Sequence, residues 1–103
     1  MAWIYLLGAG AFEVVWAFAM KQSAGFTRPV ASVITILTMI ASIVLLSLAM
    51  RTLPLGTAYT IWTGIGAVGA FAIGVTVLGE PITVLRCTAA LLIVSGLVLM
   101  KLA

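Results

Sequence analysis

Polar residues are sparse enough along this chain to mark its architecture by themselves. Four apolar stretches, about residues 2–20, 30–50, 57–78 and 85–100, are separated by "KQSAGFTR", "RTLPLG" and "GEPIT" and followed by "KLA". A hydrocarbon core about 30 Å thick is crossed by roughly 20 apolar residues in a helix, and each stretch is close to that length. The pattern predicts an all-α membrane protein: one domain over residues 1–103, four membrane-spanning helices joined as hairpins, with loops too short to hold anything further.

The loops carry their own signals. Gly25 and Gly79 suit the left-handed position just past a helix end. Pro29 and Pro81 suit the first turn of the next helix, where a missing N–H is harmless. Glu80 is expected beside the positive end of the fourth helix, most simply as a solvated capping charge. Trp3 and Tyr5 fit an interfacial aromatic belt. The opening "MAWIYLLGAG" has no Lys or Arg before its apolar core, and Glu13 interrupts that core. Although "AFA" at 17–19 mimics a cleavage site, the first segment reads as a retained membrane helix.

Composition narrows the function. The chain is 65% hydrophobic and 7% charged, against about 25% charged in soluble domains. Its few cations, Lys21, Arg28, Arg51, Arg86 and Lys101, fall singly near helix ends. That is no footprint for nucleic acid. A lone Cys87 and the absence of His leave no recognisable metal-ligand set. No phosphate-binding loop and no nucleophile–base pair is visible, so neither ATP-driven work nor an enzyme is predicted.

One residue does not fit a passive membrane bundle. Glu13 lies eleven residues into the first stretch, about 16 Å along a helix, close to the membrane midplane. A charged side chain there costs roughly 2.5–3.5 kcal/mol or more, and Glu is too short to reach the interface. It must face protein or water, where it can hold a proton or bind a cation; the plainer role is a protonated link between helices. Helical spacing sets Gly10, Ala9, Ala17 and Trp16 beside it, so a cation there meets both a carboxylate and an aromatic face.

The third stretch, "TAYTIWTGIG", aligns Tyr59 and Trp62 at spacing three. Both an interfacial belt and a pocket wall are compatible with that pair. Gly64, Gly66, Gly69 and Gly74 follow; small residues let helices approach closely, and Gly64, Gly66 and Gly69 also offer a hinge. Ser42, midway through the second stretch, can bond a carboxylate or its own i−4 carbonyl. The fourth stretch offers only Ser95 and Gly96 for packing, which suits dimerisation.

Lys21, Arg28 and Arg86 fall on one membrane face and Arg51 and Lys101 on the other. Three against two is a weak orientation bias. It is compatible with a single orientation, and equally with insertion both ways up and an antiparallel dimer of inverted symmetry.

The whole chain resembles the small multidrug resistance family of bacterial inner-membrane transporters. The likeness rests on its size, its four spans, the embedded Glu13, "KQSAGFTR" and "LPLGTAYTIWTGIG". Within that family, "FEVVWAFAMK" and "GTAYTIWTGIGAVG" resemble the guanidinium exporter subtype. Trp16 stands where the polyspecific quaternary-ammonium subtype has a small residue. The resemblance implies an antiparallel, dual-topology homodimer with one central site. Glu13 would be the shared acceptor of proton and substrate, with Trp16 and Ser42 beside it, Tyr59 and Trp62 lining the pocket, and Gly10 packed against it. It implies exchange of guanidinium or a small substituted guanidinium for protons, driven by the proton gradient and needing no cofactor. Thr60 departs from the subtype, which has a small apolar residue there. The competing expectations are a polyspecific quaternary-ammonium antiporter, a non-transporting assembly subunit, and one half of a heterodimer.

Overall fold

A computed structural model describes all 103 residues. It contains four α-helices: α1 (Ala2–Gln22), α2 (Pro29–Ala49), α3 (Leu55–Thr76) and α4 (Val84–Leu102). At 1.5 Å per residue they measure about 28–33 Å, and all four are long and apolar enough to cross a membrane. Relative to the sequence pattern, α3 begins two residues earlier and ends two earlier, because Leu55 follows Pro54 directly into the helix.

α1 packs on α2 and α3, α3 packs on α4, and α2 touches α3 only slightly. The result is a slab 40 × 34 × 16 Å, barely more than one helix diameter thick at its thinnest. Its core is one-sided. Leu6 and Ala9 of α1, Leu46 and Ala49 of α2, and Ala58 and Ile61 of α3 form the buried cluster. These positions lie toward the start of α1 and α3 and the end of α2, so the helices are tightly joined near the α2–α3 loop. The alanines let the backbones approach closely there. Trp3 and Tyr5 occupy the first turn of α1, as a belt requires, but both are half-buried against this core. The Lys101 ammonium sits 5.3 Å from the Trp3 ring centroid, a cation–π contact that ties α4 back to α1.

The α1–α2 loop is organised by Ser23, which is fully buried. Its hydroxyl donates to the Met20 carbonyl at 2.6 Å and accepts from the Phe26 N–H at 3.0 Å. Its carbonyl accepts from the Thr27 and Arg28 N–H groups at 2.9 and 3.1 Å. The expected left-handed Gly25 is one of three such residues in a row, with Ala24 at φ 50° and Phe26 at φ 65°. Pro29 then opens α2 in its first turn, as expected.

The α3–α4 loop departs from the sequence reading. Gly79 is left-handed at φ 70°, but Pro81 stays in the loop and α4 begins only at Val84. Thr83 caps it, its hydroxyl accepting from the Arg86 N–H at 3.1 Å. Glu80 therefore does not sit at the positive end of α4. Its N–H donates to the Gly74 carbonyl at 2.9 Å, and its carboxylate lies against Gly74. The loop folds back on α3 because its first hydrogen bonds are to the last carbonyls of that helix.

Candidate functional site

Glu13 lies one residue past the middle of α1. Its Oε1 rests on the backbone of α3 at Gly66, so closely that a Cβ there would overlap the carboxylate. Oε2 is buried and has no hydrogen-bond partner. Trp16, one turn further along α1, presents a second orphan: its Nε1 is also buried and unpaired. In a hydrocarbon core there is no water to satisfy such groups, and each costs several kcal/mol. The site thus holds one buried acceptor and one buried donor without partners.

Beside this pair, three helices are pinned at one hydroxyl. Ser42 Oγ, fully buried on α2, donates to the Ala9 carbonyl of α1 at 2.7 Å and accepts from Trp62 Nε1 of α3 at 3.0 Å. Neither partner expected from sequence, a carboxylate or the i−4 carbonyl, is used. Ala9 is one turn before Glu13, and Gly66 is one turn after Trp62, so the hydrogen-bonded pin and the seated carboxylate are adjacent. Tyr59 packs on Trp62, with ring centroids 5.5 Å apart and planes at 54°. Tyr59 is nevertheless 51% exposed, on the outside of the slab rather than enclosed within it.

A family model for the small multidrug resistance protein matches residues 1–101. The chain belongs to the small multidrug resistance family. Proteins named guanidinium exporter from Citrobacter freundii and Klebsiella oxytoca are each 55% identical over 103 residues, covering all of this chain and 98% of theirs. One of the same name from Yersinia pseudotuberculosis is 50% identical, covering all of this chain and 99% of its own. Family and relatives mark the chain as a multi-pass membrane transporter rather than an enzyme.

In this small multidrug resistance protein, Ser42, Trp62 and Tyr59 are joined by a hydrogen bond and ring packing, while Glu13 rests on Gly66 with Trp16 one turn along α1. Glu13 and Trp16 come from α1, Ser42 from α2, and Tyr59 and Trp62 from α3. Every Lys and Arg lies in a loop or a terminal turn, so no basic side chain shares Glu13's position in the middle of a span. Gly10 faces Ile65 and closes α1 onto α3 next to the carboxylate seat. Gly64 meets Leu97 of α4 and Gly69 meets Val14 of α1. These glycines are close-packing positions, and α3 runs unbroken through Gly64 and Gly69. Thr60, together with Tyr59, lines a cavity of about 480 Å³ between α3 and α4. Gly96 meets nothing within 4 Å in the single chain. Sequence reasoning missed the specific role of Gly66 as the seat of Glu13. The signal was its i+4 relation to Trp62, which sets both on the face that meets α1.

Proposed function

We propose that this transporter exports guanidinium in exchange for protons across the bacterial inner membrane, as an antiparallel homodimer working by alternating access. The observation that carries the reading is Glu13 Oε2, a buried acceptor without a partner near the middle of the membrane. Guanidinium is planar, permanently charged, and presents paired N–H donors that match a carboxylate. A proton satisfies the same oxygen. Because cation and proton answer one need, they compete, and when exchange of the empty site between faces is disfavoured an inward proton gradient drives the cation outward.

The surroundings favour a small planar cation. Seating Oε1 on Gly66 leaves Oε2 as the unpaired oxygen, and the Ser42 bridge fixes the Trp62 indole one turn from Gly66. A quaternary ammonium ion has no N–H to donate and would leave Oε2 unsatisfied. The relatives' name, guanidinium exporter, supports the same substrate. The second copy of the chain would close the face on which Tyr59 lies exposed, and the two Glu13 carboxylates would then share one site.

Currents from reconstituted liposomes test this. Guanidinium is expected to evoke a current that Glu13→Gln abolishes, with little response to tetrapropylammonium. Comparable responses to both cations would make the protein a polyspecific exchanger. Silence to both, with folded dimer present, would replace transport by this chain alone with an assembly or heterodimer role.

A further inference from the structure

The tight core near the α2–α3 loop has a counterpart at the opposite end of the slab. There, between α1 and α3, lies a cleft of about 370 Å³ with Lys21 and Glu80 as its only charged lining residues. Its inner wall includes Val14, Ala17 and Ala67. Val14 follows Glu13 in sequence, Ala17 is one turn from it, and Ala67 follows Gly66, so the inner wall of the cleft is built from the chain neighbours of the carboxylate seat.

Three features give the outer part of this cleft a negative character. α1 ends at Gln22 and α3 at Thr76, so two helix C-termini, each equivalent to a partial negative charge, border it. Glu80 adds a full carboxylate. The Glu80 N–H is bonded to the Gly74 carbonyl, which anchors the backbone of the residue, and its side chain lies against Gly74. Lys21 is the opposing cation, but it ends a flexible four-carbon stem and can swing into water.

We propose that this cleft is an outer cation-binding vestibule, in which Glu80 receives the guanidinium-class cargo before or after it occupies Glu13. The assignment rests on the guanidinium reading above. Glu80 concentrates the cation at the mouth and Lys21 opposes it, while the apolar walls below strip water from a weakly hydrated planar cation on its way to Glu13. The site is a waiting position, so it governs how much cation is needed rather than how fast the loaded transporter turns over.

Guanidinium transport by the full-length protein in liposomes, measured against guanidinium concentration at low and high NaCl, decides the matter. At low salt, Glu80→Gln is expected to raise the half-saturating concentration about two- to fivefold with the maximal rate near wild type. The difference should shrink at high salt as screening removes it. Glu80→Asp should restore most of the wild-type value, and Lys21→Gln should lower half-saturation below wild type. A Glu80→Gln curve that superimposes on wild type at low salt overturns the vestibule, and so does a fall in maximal rate alone, which would mark a merely structural residue. If wild type moves no guanidinium at all, the guanidinium reading fails and the vestibule with it. If Glu13→Gln is dead while Glu80→Gln is normal, only the vestibule fails.

Discussion

A carboxylate in the middle of a membrane span is tolerable only if its oxygens are accounted for, and at Glu13 the two are treated differently. Oε1 is set against a backbone that approaches because residue 66 has no side chain; Oε2 is left free. Gly66→Ala is therefore expected to disturb the site first, since the atoms that must move are those of the Glu13 side chain from Cγ outward. The carboxylate itself will shift. A displacement near 1 Å is enough to lower transport by about a hundredfold, and normal rates in a well-folded Gly66→Ala protein would disprove the seat. Ser42 differs, because its loss leaves the Trp62 Nε1 without an acceptor and the Ala9 carbonyl without a donor. Interhelical hydrogen bonds in membranes contribute about 0.6 kcal/mol on average, so Ser42→Ala should cost roughly 1–2 kcal/mol in stability once the orphaned groups are included. Thermal denaturation in detergent measures that cost. Ser42→Thr, which keeps the hydroxyl, should recover part of it.

At the scale of the helices, what was legible in the sequence was what depends on length and composition. The four spans follow from apolar runs matched to the bilayer, and Glu13 was conspicuous because nothing else charged lies at its depth. Pro29 was placed correctly because the residues before it form a turn closed entirely by local hydrogen bonds through Ser23. Pro81 and Glu80 were misplaced because the α3–α4 loop is directed by a carbonyl six residues upstream of Glu80, at Gly74, which no local pattern announces. Ser42 was visible as a polar residue in a span, but its partners lie 33 and 20 residues away and belong to the packing. The two assignments of the α4 start give different outcomes. With Thr83 as the cap, Thr83→Ala should destabilise the protein by about 1 kcal/mol. Pro81→Ala, outside the helix, should stay within about 0.5 kcal/mol. A larger loss at Pro81 than at Thr83 would restore the earlier start of α4.

Only 14 of 103 residues are buried, and α4 contributes none of them. A slab 16 Å thick, with Tyr59 exposed and two buried polar atoms, Glu13 Oε2 and Trp16 Nε1, left without partners, fits half of a site better than a whole one. If a second copy completes it, as proposed above, the outcome depends on which way up that copy inserts. Lys21, Arg28 and Arg86 on one face against Arg51 and Lys101 on the other leave the orientation almost undetermined, and a balance that fine can be tipped by a single residue. Arg51→Gln moves the count to three against one and should commit most chains to one orientation; Arg86→Gln, leaving two against two, should not. If the working unit is antiparallel, a population committed to one orientation lacks its partner. Arg51→Gln alone should then lose most guanidinium transport. Co-expression with a variant carrying Arg28→Gln and Arg86→Gln, which biases the other way, should restore it. Labelling of cysteines introduced in the α1–α2 loop reports the orientations directly, since each is reached by an impermeant reagent from one side only. Full transport by a population labelled from a single side would exclude the antiparallel arrangement, because every Glu13 would then descend from the same face of the membrane.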